Sequence, residues 1–293
     1  MPWQLAVGLN ILTNVAIALI QRSYSQSSRV PATLPPAISY ILGVVPLGLV
    51  AGLLLPHHVV WSWWVGLLLV IEAASVALGS WLGFQAAKLL PVGIYQTISR
   101  FSGVVVIMLG WTLLNEGLSS FQIMGAIILF IGSLLAVWAP IKNAESIHRK
   151  IHVRAAILAL AATSIFGVAL ATEKGILGHM QIGACLIFAW PAQAGAMLLL
   201  AAKDISRANL LKLRGHEIRW SAFMGLVNGA GGIVYVWALV KSDNISVVTA
   251  LLALILPLSA LGAYLLLHER ENQKLMWLSL LISFSGLVVS SLH

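Results

Sequence analysis

Charge is scarce in this chain: Asp, Glu, Lys and Arg together make up 9% of its 293 residues. Soluble domains carry about 25%, so the sequence lacks the polar surface that would hold a folded globule in water. Aspartate is rarer still. Asp204 and Asp243 are the only two, both between apolar runs, which excludes the aspartate-rich metal motifs of prenyl and phosphate transfer. No G-x-S-x-G, H-E-x-x-H or P-loop occurs, so neither an enzyme nor a cofactor is expected. One cysteine, Cys185, lies inside an apolar run; it excludes an intrachain disulfide and a cysteine metal site and reads as a small core residue. No basic region precedes the first apolar run and no small-residue cleavage site follows, so the first helix is expected to be retained.

What the chain has instead is apolar length. Hydrophobic residues reach 60% and mean hydropathy is +0.96. They fall into runs of about 20, the length a bilayer-spanning helix needs. Ten such runs lie at roughly 3–21, 36–55, 63–87, 92–114, 119–138, 154–174, 180–202, 219–240, 245–267 and 274–291. The expectation is an all-α polytopic membrane protein of ten transmembrane helices, since alternating strands are absent and lipid tolerates only helices or closed barrels. The net charge of +8 would suggest nucleic acid in a soluble chain, but here the cations sit between the runs and act as topology determinants. The partners implied are a small-molecule substrate and membrane lipids, with no nucleic acid; a monomer and a homodimer are both compatible. Two connections are long and polar, 139–153 and 203–217. In the second, Asp204 either caps a short surface helix carrying Leu210, Leu211 and Leu213 or opens an irregular basic loop.

The two halves repeat each other. Lys88 precedes Glu116 by 28 residues and Lys241 precedes Glu269 by 28, an offset of 153 that also sets Gly79 on Gly232. An offset of 152 sets Gln21-Arg22 on Glu173-Lys174. The chain therefore divides into a five-helix repeat at 1–138, a connecting loop at 139–153 and a second five-helix repeat at 154–293. Because five is odd, the repeats are expected to cross the membrane in opposite senses, an arrangement associated with carriers that rock about a midplane site.

At these residues the sequence resembles the ten-helix branch of the drug/metabolite transporter superfamily, built from two EamA-type repeats. The likeness is carried by Tyr235-Val236-Trp237-Ala238-Leu239 leading to Lys241, by Val248 to Leu256 with Pro257, and by His268-Glu269-Arg270. In the first half it is carried by Asn115-Glu116-Gly117 with Gly125 and Gly132. Val104 stands where Pro257 has its counterpart, so the fourth helix is expected to be less kinked than the ninth. The resemblance implies alternating-access transport through a cavity lined by spans one, three, four, six, eight and nine, with five and ten at the periphery. The activities it covers range from amino-acid and metabolite export to drug or amphiphile efflux and lipid-linked sugar flipping; a non-transporting receptor or assembly protein is the alternative outside that class.

Two ionisable residues lie well inside runs, where a charge is expensive and usually functional. Glu72 is placed near the midplane of the third run and is the candidate for proton coupling. Arg100 lies within the fourth and is the candidate for an anionic substrate group, or else the two form a structural ion pair. Asn10 and Asn14 with Gln21, Gln96 with Ser99 and Arg100, and Asn228 with Tyr235 form polar stripes at helical spacing. Asn10, Asn14, Gln96, Arg100, Asn228 and Tyr235 are accordingly the expected substrate-binding residues, although contacts between helices would produce the same stripes. Gly79-x-x-x-Gly83 and Gly225-x-x-x-Gly229 read as close-packing surfaces. Trp61, Trp63, Trp64, Trp138, Trp220 and Trp277 read as interfacial belts.

Lys and Arg are concentrated in the connections after spans one, three, five, seven and nine, and the opposite side holds only Lys174 and Lys241. Charge bias thus places both termini outside a prokaryotic inner membrane, against the inside termini that the resemblance implies.

Overall fold

The computed structural model describes the chain except for residues 1, 29, 115–118, 143–145, 206–212, 214, 242–250, 253, 269–272, 291 and 293. Within its helices it also leaves out the side chains of 113–114, 139–142, 146–149, 239–241 and 273. Ten helices make up the described chain. They are α1 (Trp3–Ser27), α2 (Leu34–Leu54), α3 (Trp63–Leu89), α4 (Val92–Ser99 and Phe101–Leu114), α5 (Ser120–Lys142), α6 (Ser146–Leu177), α7 (Ile182–Ala201), α8 (Gly215–Lys241), α9 (Ile255–Leu266) and α10 (Gln273–Ser290). Eight are long and apolar enough to cross a membrane; Ile255–Leu266 and Lys274–Ser290 are shorter apolar helices. The architecture is that of an all-α membrane protein.

Several boundaries move. The connection expected at 139–153 is helical up to Lys142 and again from Ser146. Polar residues end an apolar run without ending a helix, because the backbone bonds itself wherever water or headgroups solvate the side chains. The same reasoning extends α1 from 21 to Ser27. The alternative surface helix after Asp204, and the acidic turns at Glu116 and Glu269, lie outside the described residues; before the former, Ala202–Asp204 form one 3-10 turn.

The fourth helix, expected to be the less kinked, is itself broken, and much of the ninth span lies outside the described residues. It is interrupted at Arg100, with no proline within a turn of the break. Hydroxyls supply the cause: Thr97 Oγ1 donates to the Gly93 carbonyl (2.8 Å), Ser99 Oγ to Gln96 (2.7 Å) and Ser102 Oγ to Ser99 (2.9 Å). Three side chains drawing on successive turns compete with the main-chain ladder. The backbone there follows three-residue bonds, Arg100 N–H to Thr97 and Gly103 N–H to Arg100. In α2 the chain widens into a π-helical turn at Tyr40–Val44, just before Pro46, whose ring cannot fit beneath a regular turn and donates no hydrogen bond.

Packing crosses between the halves. α3 lies along α6 and α7, α1 lies along α8, α2 packs on both α7 and α8, and α5 pairs with α10. Glycines permit the closest approaches: a Cβ on Gly225 would strike the Ser39 backbone, and one on Gly125 would lie 2.5 Å from Ser290. The Gly225–Gly229 surface is thus a seat for α2, as its spacing indicated. Gly79 instead accommodates the Phe166 ring of α6, and Gly83 the Tyr95 hydroxyl. Cys185 is buried in an apolar cluster with Val65, Leu68, Ile176, Met180 and Trp190. Trp61, Trp63, Trp64, Trp138 and Trp220 are exposed, whereas Trp190 is buried against Gly48 and Gly232.

At one end the connection α2–α3 meets the connection α6–α7 in an antiparallel bridge, Val59 opposite Met180. Val60 N–H donates to the His179 carbonyl (3.0 Å) and Gln181 N–H to that of His58 (2.9 Å). At the other end the α1–α2 connection reaches the segment after α7 through Thr33 Oγ1, which donates to Asp204 Oδ2 at 2.6 Å. There Ser221 Oγ of α8 also donates to the Tyr24 hydroxyl of α1, at 3.1 Å.

Candidate functional site

A buried side-chain hydrogen bond joins α3 to α7. Glu72 is 2% exposed, and its Oε1 accepts from Gln193 Nε2 at 2.7 Å. Its Oε2 is buried with no hydrogen-bond partner among the described residues. Gln193 stands two positions after Pro191, which lies inside the unbroken helix α7. A proline inside a helix removes a main-chain donor and frees a carbonyl; here it stands beside the amide that reaches Glu72.

A second carboxylate lies within electrostatic reach. Glu173 of α6 acts on Glu72 of α3, and on Tyr40 in the π-turn of α2, Tyr235 of α8 and Cys185 of α7. Glu72 acts on Tyr40 as well. With a rise of about 1.5 Å per residue, Glu72 lies roughly 13 Å along α3 from Trp63, and Glu173 about 6 Å before Leu177, the last residue of α6. Beyond Leu177 opens a pocket of about 850 Å³ bounded by the α2–α3 and α6–α7 connections and by Val236 and Trp237 of α8. Gly79 of α3 packs on Phe166 of α6, and seven residues further toward that end along each of these antiparallel helices Glu72 comes about level with Glu173.

The other expected residues divide. Asn10 is buried, and its Nδ2 donates to the Gly231 carbonyl of α8 at 2.8 Å, so its amide ties α1 to α8. Asn14 Nδ2 turns back to the Asn10 carbonyl (2.9 Å) and Oδ1 (3.1 Å). Gln96 accepts from Ser99 through its backbone carbonyl. Asn228 is half-buried on α8 and makes no hydrogen bond among the described residues. Tyr235 joins the Glu173 group. Arg100 does not join Glu72: no ion pair between them exists among the described residues, and Arg100 Nε is buried without a hydrogen-bond partner at the helix break. The stripes on α1 thus serve helix contacts, whereas Glu72 and Tyr235 belong to one polar group.

Glu173, Gln193 and Tyr40 escape a reading of the runs. Glu173 precedes Lys174, and two charges in succession read as the end of a span, although the helix continues to Leu177. Gln193 leaves a visible signal as a lone amide in the apolar run Ile182–Ala201.

No protein-family model and no curated protein matches the chain. A solved crystal structure, described only as that of a protein, resembles it with a TM-score of 0.64 at 16% identity, covering 98% of this chain and 96% of its own. That likeness concerns the fold.

Proposed function

We propose that this chain is a secondary transporter, an exporter of small polar metabolites such as amino acids, working by alternating access between inverted repeats at 1–138 and 154–293. The observation that carries the reading is the placement of the buried polar group at the seam of the halves: Glu72 comes from the first, Gln193, Glu173 and Tyr235 from the second. A seam with polar contents is where two rocking bodies expose a solute first to one side and then to the other. The packing supports the repeats, because exchanging halves maps the pair α3–α6 onto α8–α1 and the pair α3–α7 onto α8–α2, all of which are in contact. At the offset of 153, Tyr40 corresponds to Gln193, so equivalent positions of α2 and α7 both face the Glu72 group.

Glu72 is the proton-coupling residue in this reading. A carboxylate in low dielectric titrates in response to small movements of neighbouring groups, and its unpartnered oxygen leaves it responsive to them. Arg100 at the broken helix, with Gln96 and Asn228, receives the anionic end of the substrate. The ten-helix EamA-type family is the proposed affiliation, and a prokaryotic inner membrane with both termini outside is the proposed setting. The test is counterflow into proteoliposomes with panels of amino acids, organic acids and amines. Saturable uptake from at least one panel is expected, and the absence of uptake from all of them overturns the proposal.

A further inference from the structure

Two carboxylates that act on one another inside an apolar bundle repel, and the repulsion is stronger the less water surrounds them. Glu72 and Glu173 are such a pair, one from each half. Among the described residues, Gln193 donates to Glu72 Oε1, and Glu72 Oε2 is buried and unmet. Among the described residues, the side chains acting on Glu72 are Glu173 and Gln193, with no lysine or arginine. The two aromatic hydroxyls that share this group, Tyr40 and Tyr235, also offer ring faces that attract cations. Charge, unmet acceptor and aromatic faces all select the same ligand chemistry, a compact positive group that donates hydrogen bonds. The pocket beyond Leu177, bordered by Val236 next to Tyr235, opens at the same end of these helices.

We propose that Glu72 and Glu173 together hold the ammonium group of an organic amine, with Tyr40, Gln193 and Tyr235 around it. This deepens the carrier reading, and rests on it for the bound amine's passage across the membrane. It assigns the positive end of the substrate to the seam between α3 and α6. It also makes Glu173 a binding residue, a role that Arg100 and the amides do not fill.

Binding is measured on the purified full chain in detergent, by quenching of intrinsic tryptophan fluorescence, with 2-phenylethylammonium as the probe. The neutral isostere 2-phenylethanol and sodium chloride are the comparison ligands. Saturable binding of the ammonium is expected, with neither comparison ligand binding at the same concentrations. Glu173→Gln is expected to weaken the ammonium at least tenfold, and Glu72→Gln to do the same. Glu173→Asp retains the charge; it is expected to weaken the ammonium by less, and it serves if the glutamine variants do not purify as monodisperse protein. Equal binding of the alcohol and the ammonium overturns the proposal, as does unchanged ammonium affinity in the Glu173 variants. A response to sodium equal to that for the ammonium overturns it in favour of a metal-ion site. Ammonium binding that depends on Glu173, without flux of any solute in proteoliposomes, removes the carrier reading and leaves the site. Flux with Glu173-independent binding removes the site and leaves the carrier.

Discussion

At Glu72 one carboxylate oxygen is held by Gln193 and the other meets no hydrogen-bond partner among the described residues. Removing the amide leaves both oxygens unmet, and a buried unsatisfied polar group costs about 1–3 kcal/mol, more when charged. Gln193→Leu is therefore expected to lower the thermal unfolding midpoint in detergent, and adding Glu72→Leu to recover most of the loss, because two apolar groups leave nothing unmet. An additive double variant contradicts the pairing. Glu72→Gln retains an acceptor for Gln193 and removes the titration. At substrate concentrations raised to offset its weaker binding, it is expected to exchange substrate across proteoliposomes while losing its response to a pH gradient, and unchanged gradient-driven uptake places the coupling elsewhere. His268 ends α9 with φ 56, a left-handed conformation that costs a non-glycine residue about 1 kcal/mol or more. His268→Gly is expected to raise the unfolding midpoint. At this scale Glu72 is legible from its isolation in an apolar run, whereas Glu173 is not: its position beside Lys174 looks like a helix end until α6 is seen to run on to Leu177.

Among the elements, the connections at the two mouths differ in kind. The α2–α3 and α6–α7 connections share main-chain hydrogen bonds, which a change in side chains does not abolish. Val59 and Met180 are flanked by the bonded pairs rather than bonded themselves, and such opposed residues have Cα atoms about 4.5 Å apart, within the range a disulfide spans. In a Cys185→Ala background, Val59→Cys with Met180→Cys is expected to cross-link on mild oxidation and to stop counterflow, with reductant restoring it. Full counterflow in the cross-linked protein shows that this mouth need not open. The break in α4 lies beyond a reading by proline, since it falls in the run of hydroxyls at Thr97, Ser99 and Ser102. The lengths of α1 and α6 are likewise hidden, because hydropathy marks where lipid ends and the helices continue past it.

For the whole molecule, the scarcity of charge and the ten apolar runs are sufficient to read an all-α membrane protein, and eight of the helices have the length and composition to span. Partnership between helices is less legible: the pairing of α5 with α10 and of α3 with α7 depends on how small residues and single amides meet across the halves. The charge bias predicts which side each connection faces. With Cys185 replaced by Ala, single cysteines at Ser146 and Ala202 are expected to resist an impermeant thiol reagent in intact cells and to react after permeabilisation. Labelling of either from outside reverses the orientation. The central claim, that two halves alternate about a polar seam, is tested most directly by spin-label distances across each mouth in proteoliposomes. Labels at Gln26 and Gly215 span one mouth, and labels at Thr112 and His179 span the other. The account predicts two distance populations at each mouth, with a shift of pH moving them in opposite directions, one mouth widening as the other narrows. A single unchanging distance at both mouths contradicts it.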